Sequence, residues 1–278
     1  MFDDDPYDPE LSGEEVPDER FDPAVEAASE KLLQFFEKNP QEVFYEKQIE
    51  VFFEREYFHW ITTKALKGLR GSRKVESELQ VLENVGHLRF YFHRRNRYWR
   101  RKAAEIKRLV QQFSTPEFTA ALGQQGELHI DAGLPTVGFH PRGMNVREFQ
   151  GRVWTKTGHN LDRIFERDGI FYGTEIKNRL SYIERTEFDI KMRMCHELDL
   201  APLFVARMMP KNYINDVFQA GGLVLIMKYQ LYPLGFATLA KQVRERLQLP
   251  VDCPVRLQQG TLDRLLNAHQ RKIARPSR

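Results

Sequence analysis

Apolar residues recur at intervals of three and four through the first part of the chain, which is the spacing of one buried helix face. This pattern predicts three helices, at 23–38, 45–57 and 61–69. Two segments with strand-like content follow at 79–82 and 87–92. Residues 23–102 are therefore predicted to form a small α+β domain.

From residue 103 onward, helices alternate with short apolar runs. Helical spacing is broken at Pro116, where a second helix begins and extends through Glu127. The remaining predicted elements are strands near 136–140 and 152–155, helices at 183–198 and 212–220, and two uniformly apolar runs at 202–206 and 223–227. Such runs, when joined by a helix, are typical of parallel strands buried on both faces. The predicted fold class is α/β, and the order from about 115 to 230 is a helix, a strand, a hairpin of two strands, and then helix, strand, helix, strand.

Two alternating segments joined by Asp168-Gly169 give the strongest local signal, a β-hairpin. A two-residue loop fixes the register of the strands, which aligns Asp162 with Glu175 and Asn160 with Lys177. Directly opposed residues have Cβ atoms about 4.5–5.5 Å apart. Two carboxylates at that distance repel each other unless a cation lies between them. The hairpin is therefore predicted to bind a divalent metal ion, Mg²⁺ or Mn²⁺.

The sequence contains three acid-x-Lys triplets, and only one of them has an opposing acid in the predicted register of a hairpin. Glu-x-Lys also occurs at 105–107, and Asp-Ile-Lys at 189–191 mimics it. Both of those triplets fall in predicted helices, where residues two apart do not face each other. The copy at 175–177 is therefore the predicted site, with the backbone carbonyl of Ile176 as a further candidate ligand. The alternative is a solvated hairpin with charged cross-strand contacts.

Charge is distributed unevenly along the chain. The formal net charge is +3, but residues 1–20 contain nine acids and one base. The other 258 residues carry 41 Lys and Arg against 30 Asp and Glu, a net charge of +11. The acidic, proline-containing start predicts a disordered tail over 1–22. The basic remainder suits a polyanionic partner.

Composition argues against several classes of protein. No run approaches the roughly 20 apolar residues that a membrane helix needs, so no membrane partner is expected. The two cysteines, Cys195 and Cys253, make no disulfide framework and favour a reducing interior. The sequence contains no Gly-x-x-x-x-Gly-Lys-Ser/Thr phosphate loop. The expected location is cytoplasmic, in association with the nucleoid.

A basic segment that includes two aromatic residues occupies 93–102. Its cationic residues are Arg94, Arg95, Arg97, Arg100, Arg101 and Lys102. With Tyr98 and Trp99 among them, these side chains suit phosphate contacts combined with stacking on bases. The segment is therefore predicted to bind nucleic acid. The alternative is a solvated helix start whose two aromatics anchor it to the core.

Three helices followed by a hairpin is the order of elements in a winged helix-turn-helix domain, and residues 23–102 resemble that class. The resemblance implies that the third helix enters the major groove of DNA and presents Lys64 and Lys67. A dimerisation or interaction module with the same order of elements is the alternative.

Asp162, followed by Glu175-Ile176-Lys177 on the next strand, resembles the catalytic motif of the PD-(D/E)XK nuclease superfamily, which has the restriction-endonuclease-like fold. The layout is most similar to archaeal Holliday-junction-resolvase-like and restriction-type endonucleases. The resemblance covers about 115–230 and implies a mixed sheet flanked by helices, with an αβββαβ core. It also implies that Asp162 and Glu175 hold the metal, that Lys177 stabilises charge or orients water, and that Glu127 completes the metal shell. Leu161 stands where the name of the motif has proline.

The expected function is that of a Mg²⁺-dependent DNA endonuclease with an N-terminal DNA-binding module, and cleavage of both strands of a duplex would favour a homodimer. One alternative is a non-catalytic DNA-binding or regulatory protein with a degenerate nuclease-like domain. Another is an RNA-directed nuclease. The predicted domains are the tail (1–22), a winged-helix-like domain (23–102), a nuclease-like domain (103–232) and a C-terminal helical extension (233–278).

Overall fold

The computed structural model describes residues 22–83 and 85–274. The predicted acidic tail at 1–22 therefore lies outside the described residues, except for Asp22. The chain divides into two compact units, one of residues up to 119 with 242–249, the other of 120–241 with the residues from 250 onward. The predicted domain limits at 102 and 232 stay predictions.

The first unit begins with helices and a three-stranded sheet. Its elements are α1 (Pro23–Lys38), β1 (Val43–Tyr45), α2 (Glu46–Phe53), α3 (His59–Gly71), β2 (Val75–Leu82), β3 (Gly86–His93) and α4 (Trp99–Phe113). The strands are antiparallel in the order β1-β3-β2. Asp22 caps α1, because its carboxylate accepts a hydrogen bond from the amide of Ala24 at 2.9 Å. The predicted helix at 45–57 is shorter than expected, because its first residue belongs to β1 and it ends at Phe53.

The core of this unit follows the helical spacing of the sequence. Ala28, Leu32 and Phe36 are fully buried along one face of α1. They pack with apolar residues of α2, α3 and the sheet, including Ile49 and Leu66. The β2–β3 hairpin continues beyond this core, and Val81 near its tip is 71% exposed.

The second unit is built on a five-stranded mixed sheet. The elements from residue 116 onward are α5 (Pro116–Gly133), β4 (His140–Val146), β5 (Glu148–Phe149), β6 (Arg152–Val153), β7 (Leu161–Arg167), β8 (Ile170–Lys177), α6 (Arg185–Glu197), β9 (Ala201–Ala206), α7 (Lys211–Gln219), β10 (Leu223–Ile226), β11 (Gln230–Leu231), α8 (Ala237–Leu247), β12 (Val251–Asp252) and α9 (Gln259–Ile273). The strand order is β10-β9-β8-β7-β4. Strand β7 is antiparallel to both of its neighbours, β4 and β8, whereas β8, β9 and β10 are parallel to one another. The predicted mixed sheet flanked by helices is confirmed.

The first strand of this sheet lies later in the chain than the sequence predicts. The expected strand at 136–140 is wrong, because Leu134–Val137 forms a short 3-10 helix and the strand begins at His140. Pro135 has a fixed φ that suits a tight helical turn. Gly138 then adopts a left-handed conformation with φ of 81°, which ends the turn and redirects the chain into β4.

Helices cover both faces of the sheet and bury several apolar clusters. One cluster joins α5 and α9 to the sheet through residues such as Ile130, Phe165 and Leu265. Another joins α6 to the sheet through residues such as Ile164 and Met194. Over the described ranges, no helix has both the length and the apolar content needed to cross a membrane.

Candidate active site at the open end of the hairpin

The turn between β7 and β8 has the geometry that its sequence predicts. Asp168 and Gly169 both have positive φ, 51° and 75°, as a two-residue hairpin turn of this twist requires. The paired residues run from Arg167 with Ile170 to Arg163 with Thr174, which confirms the predicted register over that length. One further step along both strands aligns Asp162 with Glu175.

Asp162 is fixed at the open end of this hairpin by a backbone contact. Its Oδ2 accepts a hydrogen bond from the amide of Ile176 at 2.7 Å. Burial raises the pKa of Asp162 to about 6, and the nearby charge of Glu175 adds to that increase. The two carboxylates therefore act on each other, as the register predicts.

Glu175 is the most unusual side chain of the site. The residue is 1% exposed, and its two oxygens each lie beside an ammonium group: Oε1 is 2.8 Å from Lys177 Nζ, and Oε2 is 2.5 Å from Lys191 Nζ. No other hydrogen-bond donor reaches either oxygen among the described residues. Because a buried charge is costly to desolvate, this carboxylate depends on the two ammonium groups beside it.

Lys177 links the hairpin to α6. Its Nζ donates a hydrogen bond to Glu187 Oε1 at 2.6 Å, and Glu187 also accepts one from Arg179 at 3.2 Å. Burial lowers the pKa of Lys177, but Glu175 and Glu187 outweigh that effect and hold the pKa above its ordinary value. Lys177 therefore stays charged next to the two carboxylates.

Lys191 belongs to the site although the sequence argument set its triplet aside. It is 4% exposed, and its Nζ donates to the carbonyl of Asn160 at 2.5 Å in addition to its ion pair with Glu175. Asp189 and Lys191 do not face each other, and Asp189 pairs with Arg185 instead. Helical spacing describes contacts within α6 but not the packing of α6 on β8. A signal was available, because Lys191 follows the buried Ile190 and precedes the buried Met194 on an otherwise apolar face.

Glu127 contacts a different partner. Its Oε2 accepts a hydrogen bond from Arg163 Nη2 at 2.8 Å, and Arg163 also binds Asp131 through Nε at 2.9 Å and Nη2 at 2.8 Å. Within the described part of the chain, no three His, Cys, Asp or Glu side chains are grouped so that they could hold a metal ion. Glu127 is thus not brought together with Asp162 and Glu175. Its metal-binding role, like that of the Ile176 carbonyl, stays a prediction.

The donor set nevertheless fits a divalent cation. Asp162 and Glu175 supply hard carboxylate oxygens, and both oxygens of Glu175 lack hydrogen-bond donors among the described residues. Mg²⁺ is usually held by one or two carboxylates and completes its shell with water and substrate phosphates. Two protein carboxylates are therefore sufficient for such an ion.

In the first unit, one aromatic residue of the basic segment packs against the core and the other is exposed. Trp99 stacks on Phe92 with ring centroids 4.7 Å apart, and the guanidinium of Arg100 lies 4.6 Å from the Trp99 ring. Tyr98, in contrast, is 73% exposed. Only Trp99 is thus a core anchor, and Tyr98 remains accessible to a base.

The predicted nucleic-acid contacts differ in exposure. Those with exposed side chains are Lys64, Arg94, Arg95, Arg97, Arg100 and Arg101. Lys102 and Lys67 are half-buried, and Lys102 Nζ pairs with Glu42 at 2.7 Å. Asn96 shapes the loop before α4, because its side chain donates to the carbonyl of Glu42 and accepts from the amide of Tyr98.

Comparisons of the chain with protein-family models, with curated proteins and with solved structures gave no match. The function is therefore argued from the geometry of the site and from the resemblance of its motif.

Proposed function

We propose that this protein is a metal-dependent DNA endonuclease whose active site lies at the open end of the β7–β8 hairpin. The observation that carries the proposal is Glu175, a buried carboxylate whose oxygens have no partner among the described residues other than two lysine ammonium groups. One step beyond the paired register of the hairpin brings it opposite Asp162. Such an arrangement costs stability, and it becomes favourable when a cation binds between the two groups. Strain of this kind is typical of functional sites.

The sheet supports the nuclease resemblance. The elements α5, β4, β7, β8, α6 and β9 follow one another in the order expected of an αβββαβ core, with β5 and β6 inserted after β4 and with α7 and β10 following. The carboxylates lie at the end of the central strand pair, and Lys177 is the last residue of β8. This order is what the PD-(D/E)XK resemblance implies.

The site residues have distinct roles in phosphodiester hydrolysis. Asp162 and Glu175 would hold Mg²⁺ or Mn²⁺, which supplies Lewis-acid polarisation of the phosphate and a more acidic bound water. Lys177 is charged and close to Glu175, so it can stabilise negative charge on the phosphate or orient the attacking water. The amide of Ile176 keeps Asp162 aimed into the site.

The first unit supports DNA as the substrate. Its order of elements, α1-β1-α2-α3-β2-β3 with a three-stranded antiparallel sheet, is the order that the winged-helix resemblance implies. Lys64 lies exposed on α3, the helix that the resemblance places in the major groove. The exposed arginines of the basic segment and Tyr98 add phosphate and stacking contacts.

Plasmid DNA incubated with the purified full chain and Mg²⁺ tests the proposal. We expect nicking that EDTA abolishes, and loss of nicking in Asp162→Asn and Lys177→Ala. Asp199→Asn and Lys156→Ala are matched controls, because both side chains are exposed. Nicking that persists undiminished in the two site variants would overturn the assignment.

The purified full chain also distinguishes this proposal from a non-catalytic DNA-binding protein and from an RNA-directed nuclease. Lysines already lie beside both oxygens of Glu175, which is the observation that favours a degenerate, non-catalytic site. Under that alternative, calorimetry with Mn²⁺ gives no heat of binding for the free chain or for its complex with DNA, while DNA binding remains strong. Cleavage of RNA in preference to DNA would instead identify an RNA-directed nuclease.

A further inference from the structure

The ion pairs around Glu175 bear on how its carboxylate is satisfied before a metal arrives. Lys191 Nζ lies 2.5 Å from Glu175 Oε2 and 2.5 Å from the carbonyl oxygen of Asn160. A compact ammonium in contact with two oxygens resembles a bound cation more than a surface ion pair. Glu175 is 1% exposed and Lys191 4%, so solvent does not replace either partner.

The position of Lys191 on α6 makes this contact costly to build. The other buried residues of that helix are Phe188, Ile190, Met194 and Cys195, all of them apolar or weakly polar. A lysine in this row loses its hydration, and only a specific partner compensates for the loss. Packing alone therefore gives no reason for a lysine here.

Cationic side chains already compensate Glu175 without a metal. Among the described residues, ion pairs join Glu175 and Glu187 to Lys177, Arg179 and Lys191, and Asp162 is held beside them by the amide of Ile176. A divalent cation added alone brings further positive charge next to these groups, which weakens its binding. Phosphate groups of a substrate restore the balance.

We infer that Lys191 is a resident cation that takes the place of the metal at Glu175 and competes with it. This inference rests on the proposed function. Metal binding requires Lys191 to release Glu175 Oε2, while the Asn160 carbonyl remains available to it. The divalent ion therefore binds weakly to the free protein and more tightly together with nucleic acid. The site therefore stays largely free of metal when no substrate is present.

Titration of the full chain with Mn²⁺ by calorimetry, with no nucleic acid present, tests the inference. Lys191→Met removes the competing charge at similar length, so we expect Mn²⁺ to bind about tenfold more tightly or better than to the unmodified chain. Lys191→Arg keeps the charge and should keep the weak binding. Arg193→Met is the control, because Arg193 is an exposed residue of the same helix.

A second measurement guards against a variant that folds poorly. In EDTA, Lys191→Met leaves Glu175 without its cation, so its melting temperature should fall, and Mn²⁺ should restore it. Glu175→Gln combined with Lys191→Met should melt close to the unmodified chain without Mn²⁺.

The outcomes separate the two claims. If the unmodified chain binds Mn²⁺ and Lys191→Met binds it no more tightly, the resident-cation role is wrong and the nuclease proposal stands. If neither protein binds Mn²⁺, with or without DNA, the metal-dependent function itself fails, and the inference fails with it.

Discussion

Two ionic clusters begin at adjacent residues of β7 and differ in how well they are satisfied. Arg163 donates hydrogen bonds of 2.7–3.2 Å to Asp131, Glu127 and the carbonyl of Asp162. Asp162, the preceding residue, accepts a hydrogen bond from the amide of Ile176, and Glu175 on the neighbouring strand has only two lysine ammonium groups beside it among the described residues. The first cluster is complete within the protein, and the second is not.

This difference follows from the alternation of a strand. Successive side chains of β7 point to opposite faces, so Arg163 meets α5 while the carboxylates meet residues of α6. A planar guanidinium matches carboxylates in a fixed fork, whereas an ammonium fits as a point charge. We expect the first arrangement to stabilise the fold and the second to exchange an ammonium group for a ligand more readily.

The largest expected difference concerns catalysis, and a matched pair of substitutions tests it. Glu175→Gln should lower Mg²⁺-dependent cleavage by about 100-fold or more, because it removes a charged ligand from the reacting centre. Glu127→Gln should leave cleavage within about threefold, as for a residue outside the site. Initial rates of plasmid nicking measure both. Equal loss in the two variants would return Glu127 to the metal shell and remove the contrast between the clusters.

The next largest difference concerns stability. Arg163→Met should lower the free energy of unfolding by about 2–3 kcal/mol, because it strands Asp131 and Glu127 without their charged donor. The value is at the low end for a buried pair, since the two acids are 35% and 37% exposed. Urea unfolding followed by circular dichroism measures it.

Lys177→Met is the matched substitution in the other cluster. It should cost less, because Lys191 still neutralises Glu175 and Arg179 still pairs with Glu187. A larger loss for Lys177→Met than for Arg163→Met would mean that the incomplete cluster is the one that stabilises the fold.

The hairpin was predictable because its information is local. Asp168-Gly169 selects the turn, and the turn determines which residues face each other as far as Asp162 and Glu175. The parallel pairing of β9 with β10 was also predictable, since uniformly apolar runs mark strands buried on both faces. In contrast, β1 was not predicted. It has only three residues, and its partner strand β3 lies much later in the chain, as the pairing of Phe44 with Tyr91 shows.

The rest of the site depends on packing that a single sequence does not reveal. Lys191 reaches Glu175 only because α6 lies against β8 with that face inward. The same holds for Arg163, whose partners on α5 precede it by more than thirty residues. The nuclease resemblance implies Glu127 at the metal, because a glutamate often stands on the first helix of that superfamily. Which partner Glu127 contacts depends on how α5 packs on the sheet.

A smaller effect concerns pH and separates Asp162 from Asp131. The pKa of Asp162 is raised to about 6 by burial and by Glu175, so the folded state binds its proton more tightly than the unfolded state does. The resulting cost is absent below pH 4 and fully present above pH 6. Asp162→Asn should therefore stabilise the protein by about 1–2 kcal/mol at pH 8 in EDTA, with no gain at pH 4. Its amide oxygen can still accept the hydrogen bond from Ile176.

Asp131→Asn is the control for that measurement, because it weakens the pair with Arg163 and should destabilise at pH 8. Urea unfolding at the two pH values gives both results. Stabilisation by Asp131→Asn, or destabilisation by Asp162→Asn at pH 8, would reverse the assignment of which cluster is satisfied.

The smallest expected effect lies at the turn end of the same hairpin, where a third polar network is complete. His269, which is fully buried on α9, contacts Asp168 Oδ2 through Nε2 and the hydroxyl of Tyr172 through Nδ1, each at 2.8 Å. Burial lowers the pKa of His269 despite the opposing effect of Asp168, so the fold favours the neutral ring. That ring donates from Nε2 and accepts at Nδ1. The stability it contributes is present above the unfolded pKa of about 6.5 and is lost as the pH falls.

His269→Phe should therefore lower the free energy of unfolding by about 1 kcal/mol at pH 8, because the Tyr172 hydroxyl loses its acceptor, and by less at pH 5. Adding Tyr172→Phe should recover part of the loss, and His196→Gln on the exposed surface of α6 should change little. Cleavage by folded His269→Phe should stay near that of the unmodified protein, because the register is set by the turn residues themselves. If cleavage instead falls as far as in Glu175→Gln, the completed network at the turn is also needed to align Asp162 with Glu175. The division between satisfied, stabilising clusters and the incomplete, functional one would then no longer hold.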